Sequence, residues 1–136
     1  MQQIVRLGDA ILCSLGNNTA TVFEAIISEK NGFKNHVLAT GESYPVAALT
    51  MTQNEDLKKT IGEPFSRFEQ MCIKVILEAT EPLQLDLKKS DCLFILATTK
   101  GNIGFLQNVA LKKDVNLEHS AQKIGTFFGN PNKVKV

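Results

Sequence analysis

Apolar residues along the chain fall into helical stripes separated by short strand-like runs. Val22, Phe23, Ile26 and Ile27 form one face of a helix that Asn18 or Thr19 is suited to cap. Glu24, Glu29 and Lys30 take its exposed side, and Asn31-Gly32 supplies the stop. Phe65, Phe68, Cys72, Val75, Ile76 and Ala79 repeat at the i, i+3/i+4, i+7 spacing of a helix lying on a core. Pro64 suits its first helical position, and Pro82 ends it. A third helix is predicted from Asn116 as N-cap, with Leu117, Ala121, Ile124 and Phe128 on one face. Gly129 falls at its left-handed C′ position and Pro131 comes two residues later.

Strand signals lie between these stripes. Ile4-Val5-Arg6-Leu7 and Ala10-Ile11-Leu12-Cys13 read as one strand bent at Gly8-Asp9. Val37 to Thr40 reads as a short strand before a Gly41-Glu42-Ser43 turn, and Pro45 confines the next residues to an edge or a loop. Thr52 to Gly62 is polar without a strong period and reads as an exposed connection. Leu83, Leu85 and Leu87 alternate with polar residues in an extended-looking link. Cys92-Leu93-Phe94-Ile95-Leu96-Ala97 is apolar without alternation, the pattern of a central parallel strand buried on both faces. It empties into the small, polar segment Thr98 to Gly104, and Lys133 to Val136 begins a further strand. Helices alternating with apolar strands imply βαβ units and an α/β layered fold.

With 136 residues the chain has the size of one domain or one large piece of a bigger one. Its 43% hydrophobic and 21% charged residues are those of a globular protein. A formal net charge of +1 argues against a nucleic-acid binder, which would show a basic surplus or stripe. No apolar run approaches the roughly 20 residues of a membrane span, and Met1-Gln2-Gln3 leads into no signal peptide, so a cytoplasmic protein that engages no membrane is expected. Cys13, Cys72 and Cys92 lie at long spacings among apolar neighbours, with no Cys/His cluster. They read as structural thiols, and neither a metal site nor a cofactor is expected. His36 and His119 read as ordinary polar residues, and Ser14 has no histidine or acid at motif spacing. No Walker A or dinucleotide fingerprint is present.

Taken in order, these pieces resemble the β-ketoacyl synthases, condensing enzymes of the thiolase superfamily. Residues 4–16 resemble the family's opening of apolar strand, glycine-bearing bend and Ser/Thr-Pro-Leu-Gly, although Cys13-Ser14-Leu15-Gly16 lacks the proline. The helix at 64–79 resembles the long helix before the family's central strand. Leu93 to Thr99 with Gly101 and Gly104 resembles that strand and its Gly/Thr-rich loop. Gly129-Asn130-Pro131 and Val134-Lys135-Val136 resemble the approach to the nucleophile.

The resemblance implies an N-terminal ketosynthase-like fragment with a thiolase-like layered α/β fold, a single domain over 1–136 truncated just before the nucleophile turn. It implies decarboxylating condensation of an acyl thioester with a malonyl thioester, as in fatty acid or polyketide synthesis. The cysteine would lie past Val136 and both catalytic histidines in a later half, so no catalytic residue is assigned here. It also implies an acyl carrier protein as partner, and a homodimer or ketosynthase-like heterodimer whose edge strand includes Val134 and Val136.

Thr98, Thr99, Gly101 and Gly104 are the candidate substrate-channel or interface residues, or else simply a tight βα loop. Gly101-Asn102-Ile103-Gly104 also spells the G-x-x-G of an RNA-binding KH loop, without basic company. Lys88-Lys89, Lys112-Lys113, Lys133 and Lys135 are either a steering patch for an acidic carrier or a solvated surface diluted by Asp86, Asp91, Asp114 and Glu118. Two other readings stay open. One is a non-catalytic partner of the chain-length-factor type, and the other an unrelated α/β ligand-binding module.

Overall fold

The computed structural model describes residues 4–108 and 114–136, so the Lys112–Lys113 pair lies outside the described residues. Its helices start where a side chain can satisfy the first free backbone N–H groups. Helix α1, Thr19–Ile27, is capped by Asn18, whose side-chain oxygen accepts from the Thr21 N–H at 2.9 Å. Two short strands, β1 (Lys34–Val37) and β2 (Ser43–Val46), pair antiparallel in a hairpin with His36 opposite Tyr44. Pro45 lies within β2, which a two-stranded ribbon allows because every strand in it is an edge.

Helix α2, Met51–Thr60, occupies the polar stretch that the apolar pattern assigns to a connection. A capping box starts it, with Gln53 N–H donating to Thr50 Oγ1 and Thr50 N–H to Gln53 Oε1. It buries only Leu57 and Gln53, too few apolar residues to show a period. The Gln53 amide instead reaches the Cys13 carbonyl at 2.9 Å and Asn17 Oδ1 at 2.6 Å, so this helix is docked by hydrogen bonds.

Helix α3, Arg67–Thr80, starts three residues later than Pro64 would place it. Ser66 is its N-cap, in a second capping box with Glu69. A 3-10 turn at Glu81–Leu83, carrying Pro82, ends it. The residues it buries are Glu69, Gln70 and Ile73, one step round from the apolar stripe. Helix α4, Leu117–Phe127, is capped by Asn116 as expected, and Gly129 closes it at φ +64. Gly129 N–H donates to the Thr126 carbonyl at 2.9 Å and Asn130 N–H to the Gly125 carbonyl at 3.1 Å, the double bond of a Schellman stop.

Among the described residues the fold is therefore mixed α and β, four α-helices with a small two-stranded antiparallel sheet. Three strand expectations change. Residues 4–12 join no ladder; the chain meets its first backbone pairing at the Cys13–Gly16 turn. The strand expected to begin at Val37 runs instead from Lys34 to Val37. The run 92–97 forms a single parallel bridge, Ile95 to Lys135, in which Leu96 N–H donates to the Lys135 carbonyl at 2.8 Å and Lys135 N–H to the Phe94 carbonyl at 3.0 Å. That run is covered on one face only. Phe94 and Leu96 turn toward the helices, whereas Leu93 is 53% and Ile95 73% exposed, because no second layer of described residues lies over them.

Helix α1 shows the same one-sidedness. Val22 and Ala25 are buried, but Phe23, Ile26 and Ile27 face outward. The helix sits on the Cys13–Gly16 turn through its Thr21–Val22 side, where Gly16 leaves no room for a side chain. The accessible surface totals 9982 Å², against about 7,000 Å² expected for a folded monomer of 15.0 kDa.

The inner side is packed closely. Phe65, Phe127, Phe128 and Phe94 form a chain of edge-to-face contacts with centroids 5.0–5.6 Å apart. Val134 is buried against Gly125 of α4, where an added Cβ would stand 2.7 Å from Val134 Cγ2. Gly125→Leu should therefore lower unfolding free energy by about 1–3 kcal/mol through overpacking. Chemical denaturation reads this directly, and an unchanged midpoint would mean that Val134 is not seated on α4.

Candidate functional site

The loop after Phe94–Leu96 is shaped by its own side chains. Thr98 Oγ1 accepts from the Lys100 and Gly101 N–H groups, both at 3.2 Å, turning the chain sharply. Gly101 takes φ +52, a left-handed conformation that glycine adopts without strain. Asn102 then drives inward and is buried.

Asn102 is the hub of a polar cluster joining four chain segments. Its oxygen accepts from Ser66 Oγ at 2.7 Å, at the N-cap of α3. Its amide donates to Ser120 Oγ of α4 at 2.9 Å, to the Asp114 carbonyl at 3.1 Å and, more weakly, to Glu69 Oε1 at 3.4 Å. Glu69, whose side chain is 1% exposed, accepts on its other oxygen from Lys123 Nζ at 2.6 Å and from the Ser66 N–H at 2.8 Å. Lys123 also donates to the Pro64 carbonyl at 3.0 Å and lies 5.4 Å from the Phe65 ring centroid. No buried side-chain polar atom among the described residues lacks a partner.

Two opposing effects set the charge state of Glu69. Burial alone would raise its pKa, but the hydrogen bonds from Lys123, the Ser66 N–H and Ser120, together with the Lys123 charge, outweigh it and hold the carboxyl below its ordinary value. Glu69 is an anion whose two oxygens both accept from donors of the surrounding chain.

The candidate residues from the sequence part company in space. Thr98, Gly101 and Gly104 belong to the loop that Asn102 anchors, and Thr99 is exposed on it. Val134 faces inward on α4, whereas Val136 is exposed. Asn130 and Asn132 tie the Gly129–Asn132 turn to the 87–92 connection through the Leu87, Ser90 and Cys92 carbonyls at 2.6–3.1 Å. Those bonds set Val134–Lys135 alongside Phe94–Leu96.

Asn102, Glu69 and Lys123 are not legible as a cluster in the sequence, since 33 and 54 residues separate the hydrogen-bonded pairs. The S-x-x-E capping box at Ser66 is the one local signal.

Nucleophilic chemistry finds no support in the arrangement. All three cysteines are half-buried and free. Burial, with a smaller contribution from the Glu69 charge, pushes the Cys72 thiol up to about 11, so it stays protonated at neutral pH. His119 Nε2 lies 3.3 Å from Asp114 Oδ1 on the surface, and His36 is exposed on β1. Among the described residues no group of three His, Cys, Asp or Glu side chains could hold a metal ion, and no helix is long and apolar enough to cross a membrane. Compared with protein-family models, curated proteins and solved structures, the chain matches none.

Glu69→Gln should cost about 2–3 kcal/mol at neutral pH, less than the ~3–5 kcal/mol of a fully buried pair because the Lys123 side chain is 27% exposed. The folded-state pKa of Glu69 is depressed, so its contribution is complete above the ordinary carboxyl range and fades as pH falls through the folded value. Urea titrations of both proteins at decreasing pH should show the gap closing. A gap independent of pH would contradict the ionised state.

In the native protein Cys72 should resist alkylation at neutral pH. Iodoacetamide labelling followed by peptide mass spectrometry should find it modified only after denaturation, and rapid native labelling would count against a protonated, shielded thiol.

Proposed function

We propose that this chain is the N-terminal portion of a β-ketoacyl-[acyl-carrier-protein] synthase-like protein with thiolase-type α/β layering. The observation that carries this reading is the parallel bridge between Ile95 and Lys135, with α4 as the crossover between them. A parallel pair needs such a crossover, and open α/β sheets gather ligands beyond the carboxyl ends of their strands. The loop Thr98–Gly104 leaves one of those ends, and it is the loop whose residues resemble the family's Gly/Thr-rich segment.

The exposed layer supports the same reading. Leu93 and Ile95 belong to a run patterned for burial on both faces, and about 3,000 Å² of surface exceeds the expectation for a folded monomer. A second layer of the same protein would cover that face.

In this reading the chain supplies scaffold and loop rather than the reacting groups. The family's chemistry uses a cysteine that accepts the acyl group and two imidazoles that assist decarboxylation and oxyanion stabilisation. Cys72 is protonated and shielded, and the His119 imidazole stands beside Asp114 on the surface. An acyl carrier protein would be the partner, met by Lys88, Lys89, Lys133 and Lys135, of which Lys133 is engaged with Glu118 at 2.5 Å. A homodimer or a heterodimer with a related chain would use the 133–136 edge.

The isolated chain should show no acyl transfer from a carrier-protein thioester and no condensation with malonyl thioester. Radiolabelled acyl transfer to the protein would refute that. The reading itself is tested by the encoded residues after Val136. A cysteine at a strand-to-helix turn there supports an enzyme, and another residue at the same turn supports a non-catalytic partner. A continuation without any such turn contradicts both.

A further inference from the structure

Asn31 is the one asparagine of the chain that a glycine follows. Helix α1 does not use that glycine as its stop. Glu29 takes the left-handed position at φ +55, and the Glu29 and Lys30 N–H groups donate to the Ile26 and Ala25 carbonyls. Gly32 is required by a close approach instead, since a Cβ added there would collide with Ser14 in the turn on which α1 sits. The Asn31-Gly32 pair therefore lies in the link between α1 and β1, with its glycine held by packing.

Three features of this link suit attack of the Gly32 nitrogen on the Asn31 side chain. Asn31 is exposed, so water and base reach its amide. Phe33 N–H donates to Asn31 Oδ1 at 3.2 Å and draws electron density from the carbon to be attacked. Among the described residues the Gly32 N–H is given to no acceptor, and glycine puts no side chain in the way of the new bond.

We propose that Asn31 is a site of self-modification by deamidation. The Gly32 nitrogen gives its proton to solvent base and bonds to Asn31 Cγ, the Cγ–Nδ2 bond breaks, and ammonia leaves behind a five-membered imide. Water then adds to one imide carbonyl and breaks that carbonyl's bond to nitrogen. Opening at Cγ leaves an aspartyl residue at position 31. Opening at the main-chain carbonyl leaves an isoaspartyl residue, whose backbone is longer by one carbon. Either product sets a carboxylate two residues from Glu29, at the negative end of α1. The link thus carries a slow charge switch, and the proposal is independent of the condensing-enzyme reading.

The whole chain, incubated at body temperature and weakly alkaline pH both folded and in guanidinium chloride, tests it by peptide mass spectrometry. The peptide holding Asn31 should gain one mass unit and split chromatographically into aspartyl and isoaspartyl forms. Asn35, equally exposed but followed by His36, is the internal control. Conversion at Asn31 should be about tenfold or more faster than at Asn35, a barrier lower by about 1.4 kcal/mol. The folded chain should convert at a rate within about threefold of the unfolded one, because the link leaves the reacting groups open. Asn31→Gln, which would need a six-membered ring, should show no conversion at position 31 and an unchanged far-ultraviolet spectrum. A folded chain that keeps Asn31 intact while the unfolded chain converts, or Asn35 keeping pace with Asn31, would overturn the proposal.

Discussion

A carboxylate sealed inside a protein must be answered by donors on every side, and that requirement organises this molecule. Glu69 is held by Lys123, the Ser66 N–H and the Asn102 amide. Satisfying it brings together the start of α3, the middle of α4 and the loop after Leu96. Hydrophobic burial could join the same elements in several registers, because apolar contact is non-directional. Hydrogen-bond geometry admits far fewer arrangements, so the polar cluster specifies the register and the phenylalanine chain from Phe65 to Phe94 fills in around it.

From that anchor the remaining architecture extends outward. Asn102 fixes the loop, the Schellman stop at Gly129 turns the chain, and Asn130 with Asn132 clamps the turn onto the 87–92 connection. These tethers set Ile95 and Lys135 side by side as a parallel pair. The outer faces of this unit, Leu93 with Ile95 and Phe23 with Ile26 and Ile27, stay open. The unit is thus ordered from within and bare on one side.

Legibility in the sequence depends on how local each signal is. Helix α4 is readable from end to end, since Asn116, the Ala121–Ile124 face and Gly129 all lie within one short stretch. The body of α3 is readable from its apolar period, but its buried face is centred on Glu69 and Ile73, because a buried charge defeats a pattern based on hydrophobicity. Helix α2 escapes the apolar pattern for a related reason. It is docked through the Gln53 amide, and the Thr50–Gln53 capping box is its only trace in the sequence. The run at 92–97 is legible in position and parallel sense but not in coverage, because pattern reports what a segment is suited to contact and not what lies over it. The candidate loop is legible in its threonine and glycines, whereas its anchor depends on contacts that no spacing reveals.

A double-mutant cycle between Glu69→Gln and Asn102→Ala, read by urea unfolding at neutral pH, tests the organising role of the cluster most directly. If the two side chains act in one network, the double variant should fall short of the summed single losses by about 0.5–3 kcal/mol. Strict additivity would contradict the account, since it would make Asn102 and Glu69 independent residues that merely lie near each other.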